Sequence, residues 1–303
     1  MLYELAQRGN FFTTWAVLTA LAFLLTLVMS GAMFRLYYWR PSFESWQQKS
    51  NPAYPKAAMV RREVLQMLKG IYTATFCPAL ALHLVDAGFS KAYGGLGGYS
   101  VGYLVFTFFV AWVGSDLYEF LYHRLGHSRA FWWRQHKSHH VFHNPSPFAV
   151  IADDHVDQFI RSAPLLILPM LMPINMDLLF LTYGAFFYGY GVYLHWGFEL
   201  RWPDAHHAWI NTSFQHYVHH ARSTLKKPMH TGFFFKIWDQ LAKSTYDAGP
   251  ESCICARCAT RRGERTRAAF DALEKPDYAP LLSAAFWLRG EVAAPLQDRQ
   301  ASG

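Results

Sequence analysis

Charge is scarce in this chain: 16% of its 303 residues are Asp, Glu, Lys or Arg, against about 25% in an ordinary soluble domain. Cysteine is scarcer, with four residues. Alternation of apolar and polar residues, the mark of a half-buried strand, forms no convincing run, and no internal repeat is present. The one glycine-rich stretch, residues 94–98, lacks the strand, lysine and helix that surround a phosphate-binding loop. It reads as a flexible external turn. No nucleic-acid motif accompanies the net charge of +7. These absences argue against a sheet-based fold, a P-loop nucleotide site and a nucleic-acid partner.

Apolar length is what the chain has instead. Hydrophobic residues make up 52% and aromatic ones 17%. Phe11 to Phe34 runs 24 residues without a charge, beyond the roughly 20 that cross a hydrocarbon core. Tyr99 to Phe120 is a second run, acidic only at Asp116 and Glu119. Ile71 to Val85 is shorter, and Ala163 to Leu194 is long enough for a hairpin of two helices turning at Pro173, Ile174 and Asn175. The expectation is an all-α integral membrane protein with about four transmembrane helices. The first run exceeds the 7–15 residues of a signal-peptide core and reads as a retained anchor. No retention signal is visible in Asp298 to Gly303.

Basic side chains orient such a protein. Of 28 Lys and Arg residues, 26 lie in segments 35–69, 122–161 and 201–303, leaving Arg8 and Lys91. Those segments are expected in the cytosol, with the N-terminus and the loop 88–98 outside. The membrane would be the bacterial inner membrane, or the endoplasmic reticulum in a eukaryote. Met59 to Lys69 is amphipathic, apolar at Val60, Val64, Leu65, Met67 and Leu68 and charged at Arg61, Arg62, Glu63 and Lys69. Such a helix lies in the headgroup plane or packs on a cytosolic cap.

Eight of the fifteen histidines fall into three clusters: His123 and His127; His136, His139 and His140; His216, His219 and His220. Residues three and four apart share a helix face, so each cluster can aim two or three imidazoles at one point. Neutral imidazole suits iron, copper, zinc and nickel. Eight ligands exceed the need of one ion, so two metals are expected at the cytosolic mouth of a helical bundle. A shell of imidazole without thiolate matches structural zinc poorly and suits iron and oxygen activation.

These clusters, with Asp116 before the first, Pro145-Ser146-Pro147-Phe148 after the second, the segment from His195 to Glu199, and Trp238-Asp239, resemble the fatty acid hydroxylase/sterol desaturase superfamily. The resemblance covers roughly residues 100–245. It implies a membrane-bound di-iron oxidase whose helical bundle carries a cytosolic histidine cap, with two iron ions, zinc substituting in purified protein, and O₂ as co-substrate. It also implies a lipid substrate and an external electron donor, a ferredoxin or a cytochrome with its reductase. The implied ligands are His123, His127, His136, His139, His140, His195, His216, His219 and His220. No catalytic residue beyond the metal site is implied. Glu199, where some members have a histidine, can ligate iron or orient a neighbouring imidazole. Asp116, two turns before His123, and His155, beside Asp153, Asp154 and Asp157, are candidates to hold the ligands in place. His206 and His207 fall on a surface turn, and His83 is a packed histidine at the opposite side.

The resulting organisation is an N-terminal membrane segment (1–98), a catalytic domain (99–246) and a polar, Arg-rich cytosolic tail (247–303). Cys253, Cys255 and Cys258 in that tail can bind zinc or a cluster, but a tetrahedral site calls for a fourth ligand. Cys77, the only other cysteine, lies in an apolar run. The other reading is reduced thiols, which need no disulfide. The leading function is a lipid hydroxylase acting at an unactivated C–H bond, and the nearest rival is a desaturase on the same scaffold. A metal transporter would carry its histidines along a membrane-crossing pathway, and a non-catalytic relative would have lost ligands.

Overall fold

The computed structural model describes residues 2–7 and 9–289. Arg8 and the end of the tail from residue 290, including Asp298 to Gly303, lie outside the described residues. The architecture is helical: α1 (Phe11–Tyr37), α2 (Ala57–Ala74), α3 (Phe76–His83), α4 (Val101–Gly126), α5 (Ala130–His136), α6 (His155–Arg161), α7 (Pro164–Leu171), α8 (Met176–Thr182), α9 (Tyr190–His195) and α10 (Ser213–Arg222). A π-helical stretch, Tyr183–Gly189, joins α8 to α9. Among the described residues the one sheet is a parallel pair of two-residue strands, β1 (Ala92–Tyr93) and β2 (Ile174–Asn175).

Two helices, α1 and α4, are long and apolar enough to cross a membrane. Only 22% and 33% of their most apolar windows are buried. Phe12, Leu24, Val28 and Leu36 on α1 and Val101, Phe106 and Phe109 on α4 are exposed. In water such a belt would cost about 1.5–3 kcal/mol per side chain. In lipid it costs nothing.

Among the described residues the chain makes five helical passes between two ends, two of them (α1 and α4) long and apolar enough to cross a membrane, where about four spans were expected. Thr14 of α1 meets His83 at 3.1 Å and Thr19 meets Thr75 at 2.7 Å, so α2 and α3 return antiparallel to α1. Tyr103 of α4 bonds the Pro173 carbonyl at 2.7 Å while Tyr118 bonds that of Ile160 at 2.8 Å. The chain through α6 and α7 therefore returns along α4, and α8 to α9 completes the hairpin as a fifth pass. An odd count follows because both arms of that hairpin are passes.

The far end is tied together by the strand pair and by Asn175, whose side-chain amide donates to the Gly95 carbonyl. Gly97 has φ +57°, and a Cβ there would lie 2.2 Å from the Tyr93 ring. This glycine-rich turn is pinned rather than free. The amphipathic helix α2 buries Val60, Met67 and Ile71 against residues 147–151, and Gly70 permits the approach, since a Cβ there would meet the Ile151 carbonyl at 2.1 Å. Glu63, which the charge pattern put on the polar face, is fully buried. Its carboxylate accepts from the backbone N–H of Ser146 at 3.0 Å and from the Ser146 hydroxyl.

Candidate metal centre

All the expected histidine ligands lie at the other end, where α1, α4 and α9 finish. His123 and His127 are one turn apart at the end of α4, His136 closes α5, and His195 closes α9. His216, His219 and His220 ride on α10, whose start is fixed by a capping box between Thr212 and Gln215. All nine side chains are buried. Their ligand nitrogens form two groups, each within 4.8 Å: His123, His127, His136, His140 and His219 in the first, His139, His195, His216 and His220 in the second.

Each sequence cluster was expected to aim at one point. Two of the three do not. Neighbouring residues on a helical turn diverge by about 100°, so His139 faces away from His140, and His219 from His220. Pairs four apart keep together: His123 with His127 and His136 with His140 in the first group, His216 with His220 in the second. His219 and His139 each cross to the other group, so the two centres share two of their three sequence boxes. The rings of His139 and His220, and of His140 and His219, lie 4.5 and 4.6 Å apart between centroids.

The Nε2 atoms converge. In the first group His123 and His219 are 2.8 Å apart, His136 and His140 3.0 Å, and His140 and His219 3.1 Å. In the second His195 and His216 are 2.9 Å apart, His216 and His220 3.1 Å, and His139 and His195 3.4 Å. Metal–imidazole bonds of about 2.1 Å set at right angles hold their nitrogens about 3.0 Å apart. The outer nitrogens explain why so many inner ones can face each other. Nδ1 of His195 lies 2.8 Å from the Gly191 carbonyl, and Nδ1 of His219 lies 2.7 Å from that of Met229. A carbonyl only accepts, so these Nδ1 atoms carry the proton and the inner Nε2 atoms are bare lone pairs. Facing lone pairs repel, and a cation between them removes the repulsion.

Burial, then the neighbouring imidazoles, holds His140, His216, His219 and His220 well below the ordinary histidine range. The same causes bring His136 to about 3 and His127 to about 2. Neutral imidazole is the form that binds metal. His139 goes the other way: burial lowers it, but the Asp153 and Asp157 carboxylates and the Ala152 carbonyl together outweigh that.

Two carboxylates hold the ligands from behind. Asp157 Oδ2 is 3.0 Å from His136 Nδ1, and Asp153 Oδ1 is 3.1 Å from His139 Nδ1. Arg161 pairs with Glu119, whose Oε1 is 4.0 Å from His123 Nδ1. The segment around residue 155 thus supports the site through Asp153 and Asp157, while His155 is exposed and bonds Thr73 at 2.7 Å. Asp116 touches no histidine. It accepts from the backbone N–H groups of Phe234 and Phe235 and from the Trp238 indole, at 2.7, 3.2 and 2.7 Å. Glu199 lies outside both nitrogen groups, accepting from Ser50 Oγ at 2.9 Å and the Ala256 N–H at 2.8 Å. Asp239 receives the Thr231 and Gly232 N–H groups at 2.9 and 2.7 Å. Asp153 and Asp157 were legible only as neighbours of His155, and Glu119 only as a charge in an apolar run.

Nine buried nitrogens in two adjoining groups, with no thiolate among them, fit a pair of transition-metal ions. Helical passes ending in such a centre define a class, the histidine-rich membrane metalloproteins. Residues 108–244 match the fatty acid hydroxylase family model. Over 191 residues the chain is 30% identical to human lathosterol oxidase, a match covering 61% of this chain and 60% of that protein. The mouse lathosterol oxidase is 28% identical over 193 residues, with the same shares covered. The Delta(7)-sterol 5(6)-desaturase of Candida glabrata is 27% identical over 252 residues, covering 80% of this chain and 64% of that protein. The chain therefore spans about three fifths of the length of the lathosterol oxidases it matches. No solved structure matches. Through residues 108–244 the chain is similar to the fatty acid hydroxylase family and to these sterol-oxidising relatives.

Proposed function

We propose that this protein is an oxidoreductase of the membrane: a di-iron, O₂-dependent oxidase that hydroxylates a lipid at an unactivated C–H bond. The observation that carries this reading is the pair of adjoining nitrogen groups, five and four imidazoles, set where apolar helical passes end. Iron bound there would supply O₂ activation and hydrogen removal from carbon. The residues of the chain do the rest. Nine imidazoles hold the ions, Asp153 and Asp157 fix two of those rings, and the surrounding protein excludes water.

A cavity of about 60 Å³ lies beside the carboxylates that hold the ligands, and it must widen to admit a lipid. Its lining includes Glu119, Asp153 and Arg161 together with Leu165, Tyr183 and Phe187. Its apolar residues Leu165, Tyr183 and Phe187 come from the helical passes, which suits a lipid substrate. The names of the relatives favour a second reading, desaturation of a sterol. Hydroxylation adds one oxygen and releases one water; desaturation removes two hydrogens and releases two waters. Either consumes one O₂ and two electrons from a ferredoxin or cytochrome. Lipid mass spectrometry of cells with and without the protein distinguishes them: a gain of one oxygen supports hydroxylation, a loss of two hydrogens desaturation. No altered lipid under reducing partner and O₂ would overturn the oxidase reading.

We also propose that all five passes span the membrane, with residues 1–98 as membrane segment and the histidine end in the cytosol. Within the described residues, the basic segments 35–69, 122–161 and 201–289 begin or end at that end, as cytosolic segments should. Leu96 is exposed at the other end. Leu96→Cys is therefore expected to react with a membrane-impermeant maleimide in intact cells or sealed right-side-out vesicles. Reaction only after permeabilisation would reverse the orientation.

A further inference from the structure

Outside the histidine centre the fold assembles a second cluster of metal-binding side chains from two distant segments. Cys253, Cys255 and Cys258 are buried at the start of the short helix α11 (Ala256–Arg261). The surface turn 201–209 brings His206 onto them. Its Nε2 lies 3.7, 3.4 and 3.8 Å from the three sulfurs, and all four ligand atoms fall within 4.8 Å of one another. A tetrahedral zinc ion with Zn–S of about 2.3 Å and Zn–N of about 2.0 Å holds sulfur and nitrogen about 3.5 Å apart. The fourth ligand that the tail lacks in sequence is thus supplied across 47 residues.

We propose that these four side chains bind one structural zinc ion through three thiolates and one imidazole. The surroundings are those of a thiolate site. The Cys255 backbone N–H points at Cys253 Sγ at 3.5 Å, and that of Cys258 at Cys255 Sγ at 3.3 Å. Such N–H groups stabilise charge on sulfur. The turn is held in register by Asp204, which accepts from the His206 N–H at 3.0 Å and pairs with Arg257 at 2.9 Å. Each cysteine gives one thiolate and releases one proton, so no oxidant is needed; His206 binds as neutral imidazole. Four protein ligands close the shell, which makes the role structural rather than catalytic.

The ion would fasten the tail to the helix that carries the third histidine box. Ala205 and the three cysteines pack on Phe214 and Val218 of α10, and Gln215 of α10 donates to the Ala205 carbonyl. The zinc site therefore braces α10, which gives one ligand to the first metal group and two to the second.

Zinc content and zinc X-ray absorption of the full-length protein, purified in detergent with zinc supplied, test this. The wild type is expected to hold one zinc per chain in a sulfur-rich shell near 2.3 Å, beyond whatever metal the histidines hold. Cys258→Ser and His206→Ala should each lose that sulfur signal and lower the thermal midpoint. His206→Cys should retain it with four thiolates around the ion, which guards against a variant that merely misfolds. A wild-type protein with only nitrogen-bound zinc, or with Cys253, Cys255 or Cys258 joined in a disulfide, would overturn the proposal. Loading of the histidine groups is read separately from their nitrogen shell, so either site can fail without the other.

Discussion

His139→Ala is expected to bring lipid oxidation down at least 100-fold while leaving the inserted fold in place. The second group has four nitrogens, and His139 is the one that the second histidine box contributes to it. Its loss opens that coordination shell, leaves Asp153 without its partner, and removes a bridge between the two box-bearing segments. Changes to residues that merely orient a ligand cost about 10–100-fold in affinity or activity, and the ligand itself must exceed them. Asp157→Asn, which disturbs the orientation of His136 together with contacts to Arg161 and Tyr122, should fall within that lower range. His83→Ala is the control. It sits at the far end against Thr14 and the Phe11 ring, and turnover should stay within about twofold of wild type. Activity and iron content of detergent-purified variants measure all three; a dead His83→Ala beside a fully active His139→Ala would move the metal to the other end.

The second large effect is on stability. Asp116→Ala leaves three part-buried donors without their acceptor, the Phe234 and Phe235 N–H groups and the Trp238 indole. Each orphaned donor costs about 1–3 kcal/mol. At about 2–4 °C per kcal/mol for a chain of this order of size, the thermal midpoint should fall on the order of 10 °C. Asp116→Asn keeps one carbonyl acceptor and should fall less. An unchanged midpoint for Asp116→Ala would show that this carboxylate does not clamp residues 234–238 to α4.

The histidines were legible because their spacing is a local code: pairs four apart share a face whatever the fold around them. Division of the boxes between two centres was not, since it depends on how α4, α5, α9 and α10 meet. Long-range partnerships escaped for the same reason. Asp116 was placed near His123 by helical register, yet its donors come from residues 234–238. Glu63 looked solvated by its charged neighbours, yet Ser146 makes its burial tolerable. His206 read as a turn residue, and so it is, but the turn is folded onto the cysteines. Apolar length located the runs that make the helical passes, while their number needed both arms of the 164–195 hairpin to be counted.

The two histidine groups are expected to hold two metal ions. The most direct measurement is a cryo-electron-microscopy or anomalous-scattering map of protein expressed with iron and purified without chelator. Two peaks are expected: one among His123, His127, His136, His140 and His219, the other among His139, His195, His216 and His220. Elemental analysis should approach two iron atoms per chain, with zinc able to take their place. A single ion shared by both groups, or ions bound elsewhere while these imidazoles stay metal-free, would contradict it.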